Sequence, residues 1–201
     1  MPLNTCLQGD VLAAKTSNFL NPGKIADGGE VRFSFLGNDS IGGKEVWVET
    51  PEKRVPLRFS DEPSLSDIEE RAKEIGATVP ADLRIQHFFA FAVWNYSEDA
   101  VQVFQFTQKS IGRDLDKYLS DEEISLEPQT FDFKLEKVRT GPNPKDVRYP
   151  LTALPGRRRK PDVAASVDAA WAKAVSAGFN LRALLTGGDP FNAPTNKACG
   201  I

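Results

Sequence analysis

Residues 85–108, IQHFFAFAVWNYSEDAVQVFQFTQ, decide the fold of this chain. Two runs rich in aromatic and β-branched residues, 85–96 and 100–108, flank a polar Ser-Glu-Asp triplet. Residues of these types favour strands, and a short polar segment between two such runs predicts a hairpin turn. The sequence therefore predicts a β-hairpin with its turn at residues 97–99 and with Tyr96 opposite Ala100.

This register sorts the side chains of the hairpin onto two faces. One face carries large residues opposite small ones, as a core prefers: Phe88, Ala90, Ala92 and Trp94 against Phe104 and Phe106. The other face carries aromatic rings opposite polar partners: Phe89, Phe91, Val93 and Asn95 against Val103, Gln105 and Thr107. The second face suits a wet binding surface. A turn one residue longer would instead pair Phe91 with Phe106, and burial of both phenylalanines in a core stays open.

Upstream of the hairpin, residues 30–36 (EVRFSFL) alternate apolar and polar side chains, which predicts a half-buried strand. The segments 37–39 and 42–43, Gly-Asn-Asp and Gly-Gly, predict turns after it. Two short strands and a capped helix are then expected, at residues 44–50, 54–59 and 64–75.

Downstream of the hairpin, the spacing of apolar residues predicts a helix and then two strands, at residues 110–119, 131–139 and 147–154. If residues 38–84 are an insertion, the remaining order is β-β-β-α-β-β. This is the chain order of the five-stranded OB-type barrel, whose outer face commonly binds single strands or oligosaccharides. The predicted fold class is therefore mainly β with flanking helices, with the barrel over residues 30–155.

The two ends of the chain complete the predicted organisation. Residues 1–29 are expected to be an irregular lead-in, and residues 156–201 a basic linker, a helix and a loosely structured tail. The helix covers residues 162–177, and its apolar stripe should dock on the barrel: Val163, Val167, Trp171 and Val175.

Composition bounds the compartment and the partners. The start has no secretory pattern, and the two cysteines, Cys6 and Cys199, suggest no disulfide framework, so a reduced cytosolic setting is expected. A net charge of −3 argues weakly against a nucleic-acid binder. Basic residues nevertheless concentrate in 134–139 and 145–160, which allows a basic groove on an acidic body; ordinary solvated faces are the alternative.

Three segments carry a family resemblance: HFFAFAVWNYSEDAVQVFQFTQKSI from His87, FDFKLEKV from Phe131 and VRYPLTALP from Val147. With EVRFSFLG from Glu30 and SNFLNPGKIADG from Ser17, they resemble bacteriophage single-stranded DNA-binding proteins of the OB type, over roughly residues 17–155. The resemblance implies a protein that coats transient single strands during phage replication or recombination. It implies the cytoplasm of an infected bacterial host, with phage or host replication proteins as further partners.

Two departures from that family limit what the resemblance implies. Some relatives carry a zinc-binding insert, whereas His87 is the single histidine here and both cysteines lie outside the insert, so neither zinc nor a cofactor is expected. Many relatives end in an acidic tail that recruits replication enzymes, whereas the end of this sequence, GGDPFNAPTNKACGI, holds one acid, Asp189.

Binding a single strand without reading its sequence needs aromatic faces for bases and cations for phosphates. The predicted stacking residues are Phe89, Phe91, Trp47 and Tyr149. The predicted phosphate contacts are Lys109, Arg113, Lys134, Lys137, Arg139 and Arg148. Core packing for the aromatic residues, and simple solvation for each cation, are the alternatives that the sequence leaves open. The cluster 157–160 (Arg-Arg-Arg-Lys) could be a phosphate contact or a linker.

The sequence also bears on two other function classes, an enzyme and a protein-protein interaction module. An enzyme is not expected: the acids Asp114, Asp116 and 121–123 have no convergent partner motif, there is no glycine-rich phosphate loop, and His87 has no evident nucleophile. An OB-like barrel that serves as a protein-protein interaction module in a virion or a replication assembly is the remaining alternative, since fold alone does not choose the partner.

Overall fold

The computed structural model of the chain describes residues 17–154 and 161–192. Its strands are β1 (Phe19–Leu20), β2 (Glu30–Glu49), β3 (Arg54–Phe59), β4 (Ile85–Asn95), β5 (Ala100–Phe106), β6 (Asp132–Glu136), β7 (Val138–Arg139), β8 (Val147–Arg148) and β9 (Leu151–Leu154). Its α-helices are α1 (Leu65–Glu74), α2 (Lys109–Leu119), α3 (Glu122–Leu126) and α4 (Pro161–Ser176). Four short 3-10 helices occupy Pro22–Lys24, Pro128–Thr130, Pro144–Asp146 and Leu181–Thr186. The prediction of a mainly β chain with flanking helices is confirmed.

One mixed sheet in the order β1-β5-β4-β2-β6-β9, with β3 joined to β2, forms the body of the molecule. The sheet is strongly curved. The curvature brings the ring centres of Phe33 on β2 and Phe104 on β5 to 4.8 Å, although β4 lies between their strands. The inward side chains form the main core, which also includes Phe133, Ile111 and Leu115. We call the face of the sheet on this core the inner face.

Helix α2 packs against the main core where the sheet is open. Within the described residues no strand pairing joins β5 to β9, so a closed barrel is not seen. Instead Ile111 and Leu115 of α2 are buried in the main core, and the carboxylate of Asp114 accepts the backbone N–H of Leu151 on β9 at 3.3 Å. Helix α2 therefore supplies a hydrogen-bond acceptor to the backbone of β9, where a further strand would otherwise do so.

The first half of the sequence differs from the prediction at its glycines. Residues 30–49 form one continuous strand of 20 residues, β2, without the predicted turns. Residues 36–39 instead bulge out opposite Ala92 alone, with Gly37 in the left-handed region at φ 64°. At Gly43 a Cβ would lie 2.2 Å from the carbonyl oxygen of Phe59, so glycine lets the backbones of β2 and β3 approach. Gly37 thus marks a bulge and Gly43 marks a close approach of two strands, although both were predicted to mark turns.

Residues 44–84 extend the same sheet rather than forming a separate insert. The second half of β2 pairs with both β3 and β4, and α1 packs over it. A small second core results, made of Val46, Val48, Leu57, Ile68 and Ala72. Helix α1 begins at the predicted place, because Ser64 and Asp67 form a capping box.

The hairpin forms as predicted, but its register is shifted by one residue. Asn95 pairs with Ala100, so the turn holds four residues, with Asp99 at φ 49°. The side chain of Asn95 accepts the N–H of Ser97 at 2.9 Å and donates to Gln102 at 2.8 Å, which fixes the longer turn. The predicted pairing of faces is therefore wrong.

The actual register places Phe89 opposite Phe106 and Phe91 opposite Phe104, on the inner face. Phe88, Ala90, Ala92 and Trp94 lie on the outer face, and all four are buried. Helix α4 covers Trp94 with Val167, and the 3-10 helix Leu181–Thr186 covers Phe88. The outer face of the hairpin is thus closed by the C-terminal part of the chain.

The predicted docking of the C-terminal helix is confirmed for most of its stripe. Val167 is buried, Val163 and Trp171 are half-buried, and only Val175, 51% exposed, points away. The segment after it is not loosely structured as predicted, because Leu181 and Leu184 are buried against the sheet. The cluster 157–160, Cys6 and Cys199 lie outside the described residues.

None of the helices in the described ranges is both long and apolar enough to cross a membrane.

Candidate nucleic-acid interface

The ring of Phe89 stands at the open rim of the main core. It stacks on Phe106 with ring centres 5.5 Å apart and planes 28° apart. A Cβ added at Gly42 on β2 would lie 3.3 Å from this ring, and one added at Gly112 on α2 would lie 4.0 Å from it. Gly42 lets the strand pass close to the ring, Gly112 leaves the helix at ordinary contact distance, and the ring remains 37% exposed. The Phe89 ring is therefore held by its contact with Phe106 and remains partly accessible to solvent.

Two cationic residues lie on α2, the helix that approaches this ring at Gly112, and together with Phe89, Gly42 and Gly112 we call the group the Phe89 patch. Lys109 and Arg113 are exposed on α2, each within one helical turn of Gly112. The nearest carboxylate to Arg113 is its neighbour Asp114 at 3.7 Å, a weak surface contact. The guanidinium of Arg113 is thus available to an anionic ligand.

The strand side of the Phe89 patch carries a second pair of polar groups. Lys44 and His87 are cross-strand partners next to Gly42 and Phe89, and the Lys44 ammonium lies 3.2 Å from Nε2 of His87. Lys44 also forms an ion pair with Glu62, so its charge is partly compensated. These residues frame the ring opposite α2.

Phe91 and Tyr149, which the sequence also proposed as stacking residues, belong to the main core. The Phe91 ring packs on Phe35 at 5.2 Å and on Phe106 at 6.2 Å, and is only partly exposed. Tyr149 is half-buried against the same core. Neither presents an open face comparable to that of Phe89.

Trp47 is exposed to 37% but lies on the other face of the sheet. It shares its face with Glu45, which is opposite Gln86 on β4, whereas Phe89 points inward. The indole N–H donates to Glu45 Oε1 at 3.0 Å. Phe89 and Trp47 therefore belong to two separate surfaces, which the sequence could not distinguish.

Three of the predicted phosphate contacts are already paired with acids. Lys134 contacts Glu136 at 3.2 Å and Glu30 at 3.7 Å. Lys137 and Arg139 both contact Asp27, at 3.1 and 2.5 Å. Hydrogen bonds from Arg139 and then Lys137 lower the pKa of Asp27, and the bond to Asp27 raises the pKa of Arg139. Arg148 is exposed on β8, where it pairs with Val138 and so lies next to Lys137 and Arg139.

Two of the acidic residues that could have indicated a nuclease accept hydrogen bonds from the backbone. Asp114 accepts from Leu151, and Asp121 accepts the N–H of Ile124 at 3.2 Å. Within the described part of the chain no group of three or more His, Cys, Asp or Glu side chains converges as metal ligands do. The expectation of no zinc stays a prediction.

Sequence reasoning missed Gly42, Gly112, Lys44 and His87 as parts of the Phe89 patch. Gly112 carries a signal, because a glycine inside a helical pattern often marks a close approach. The others come together only through the register between β2 and β4.

Comparison with known proteins gives no relative: no protein-family model, no curated protein and no solved structure matches this chain.

Proposed function

We propose that this chain binds single-stranded DNA without sequence preference through an OB-type barrel, and protects transient single strands in phage DNA replication or recombination. The strand order β5-β4-β2-β6-β9 supports the barrel, with α2 between β5 and β6 and packed on the open side. This is the connectivity of a partly open five-stranded Greek-key barrel.

The observation that carries the proposal is the Phe89 ring. It is a large aromatic side chain that the fold leaves 37% exposed, stacked on a second ring that fixes its plane. An exposed ring of this kind offers a stacking face to any base, and stacking of one base contributes about 1–3 kcal/mol. Because every base has such a face, the contact tolerates any sequence.

The charges beside the ring support the same ligand. Lys109 and Arg113 are on α2, the helix that approaches Phe89 at Gly112, so they are candidates to meet a phosphate backbone if a base stacked on the ring. Each phosphate that is neutralised on a single strand makes the slope of log K against log salt more negative by about 0.7. A duplex keeps its bases inside the helix, so it would use the cations but not the ring.

The test is fluorescence anisotropy with labelled oligothymidine, a mixed-sequence single strand and the matching duplex, each at several salt concentrations. We expect similar affinity for the two single strands, weaker binding of the duplex and a loss of affinity with salt. Tighter or equal duplex binding, or no binding to any of the three at low salt, would contradict the proposal. In the second case use of the barrel for protein contacts becomes the better explanation.

A further inference from the structure

A second open aromatic surface lies outside the β5-β4-β2-β6-β9 order, on the extension formed by β3 and the ends of β2 and β4. An open cleft of about 470 Å³ is lined there by Trp47, Arg54, Pro80, Asp82, Arg84 and Gln86. This volume falls in the range of small-molecule sites. We call it the Trp47 cleft.

The indole of Trp47 is held in place by a buried carboxylate. Glu45 is 1% exposed, and its Oε1 accepts from Trp47 Nε1 at 3.0 Å and from Gln86 at 3.3 Å. Its Oε2 accepts from Arg58 at 3.1 Å and from Gln105 at 3.4 Å. Because both oxygens are engaged, Glu45 is a fixed acceptor that restricts rotation of the indole. Trp47 is thus a preorganised platform rather than a loose surface side chain.

The charged groups of the Trp47 cleft favour a phosphate near the ring. Arg54 is exposed and shares its charge with Glu49 at 3.6 Å. Within the described residues no hydrogen bond or ion pair engages the guanidinium of Arg84, which is exposed. Asp82 is the acid on the rim of the cleft. Arg84 is therefore the cation with most freedom to bind an anion bidentately.

We propose that the Trp47 cleft is an accessory nucleotide subsite, in which one base of a bound single strand stacks on Trp47 and its phosphate is held by Arg84. The inference rests on the proposed function. Since the Phe89 patch faces the other side of the sheet, a strand that fills both must pass around its edge. Occupation of both subsites by one strand then adds affinity only when the strand is long enough to reach both.

The experiment compares wild type with W47A, W47F and R84A, using a short and a long oligothymidine and inorganic polyphosphate as a polyanion without bases. R182A is the matched control, because Arg182 is an exposed arginine outside both surfaces. Affinity is measured by anisotropy and stacking by quenching of tryptophan fluorescence. Trp94 is buried and Trp171 is half-buried, whereas Trp47 is 37% exposed, and W47F tests directly whether the quenching comes from Trp47.

For the long oligonucleotide we expect W47A to weaken binding about 5- to 150-fold, the range that stacking of one base implies. W47F should keep most of the affinity, because phenylalanine also stacks, but lose the quenching. R84A should make the salt slope shallower by about 0.7, and R182A should behave as wild type. The loss caused by W47A should be smaller for the short oligonucleotide.

Several outcomes would overturn the inference. If F89A weakens binding while W47A and R84A stay within twofold of wild type, the proposed function stands and the subsite is wrong. If polyphosphate competes as well as the long oligonucleotide and W47A has no effect, the cleft recognises charge alone. If wild type binds no single strand, the proposed function itself has failed, and the subsite with it.

Discussion

The two halves of β4 have similar residues, but one half is mostly buried and the other is mostly exposed. From Phe91 to Asn95 the strand is covered on both sides, by the main core within and by α4 outside. From Ile85 to Phe89 only Phe88 is buried, whereas Ile85, His87 and Phe89 are exposed. Aromatic density therefore does not by itself mark a binding surface. Exposure of a ring on β4 depends on which side chains the neighbouring strand and helix place against it.

The difference comes from two features of the neighbours. The bulge at residues 36–39 interrupts the pairing of β2 with β4 opposite Ala92, and regular pairing resumes with Ser40 opposite Phe91. Beyond the bulge, Gly42 on β2 places no side chain opposite Phe89, and α2 approaches the Phe89 ring at Gly112, which also has no side chain. Where those neighbours lack side chains, the ring stays accessible. We therefore expect Phe91 to contribute to stability and Phe89 to the proposed binding.

The largest expected effect is that of F91A on folding. Because the ring packs on Phe35 and Phe106, its removal should lower the free energy of unfolding by about 3 kcal/mol, the lower end of the range for a phenylalanine-to-alanine change in a core. Urea unfolding followed by circular dichroism measures this. The folded variant should bind oligothymidine as wild type does. A stable variant with weak binding would reverse our assignment.

A smaller effect, and on a different property, is expected for F89A. Loss of the stacking face should weaken single-strand binding by about 1–3 kcal/mol. The free energy of unfolding should fall by only about 1 kcal/mol, because the ring is partly solvated already. Anisotropy titration and urea unfolding of the same sample separate the two. The salt slope should not change, since no phosphate contact is removed.

The hairpin and its neighbours were largely predictable, whereas the Phe89 patch was not. Alternation in residues 30–36 and the aromatic runs of the hairpin identify strands from local pattern alone. Gly37, Gly42 and Gly43 could not be interpreted locally, because turns, bulges and close approaches all favour glycine. The register depended on one hydrogen-bonded residue, Asn95, that lengthened the turn. A shift of one residue exchanges the side chains of β5 between the two faces of β4, so that Phe106 and Phe104 lie beside Phe89 and Phe91.

Free and paired cations should differ in a third measurement. R113A should make the salt slope of single-strand binding shallower by about 0.7, because Arg113 is exposed on α2 next to Gly112 and its contact with Asp114 is long, at 3.7 Å. R139A should leave the slope unchanged, because Arg139 is paired with Asp27 at 2.5 Å. Equal slopes for the two variants would show that position along β4 does not select the phosphate contacts.

The smallest expected effect is a pH dependence far from the Phe89 patch. Hydrogen bonds from Arg139 and Lys137 lower the pKa of Asp27 below its usual 3.8. The stabilisation is therefore present above that value and is lost as the pH falls through the lowered pKa of the folded state. D27N should be slightly less stable than wild type at pH 7, and the two should converge near pH 2. Thermal unfolding at both pH values measures this, and single-strand affinity at pH 7 should be unchanged.

The long strand β2 also sets the order in which the protein can be assembled. One part of β2 pairs with β6, and the guanidinium of Arg32 donates a hydrogen bond to Asp132, which lies 100 residues further along the chain. At synthesis rates of about 5–20 residues per second, that edge of β2 waits roughly 5–20 s for its partner on the ribosome. An edge strand left open in this way is a template for pairing with other chains. The protein should therefore be most prone to self-association while it is being made rather than once it is folded.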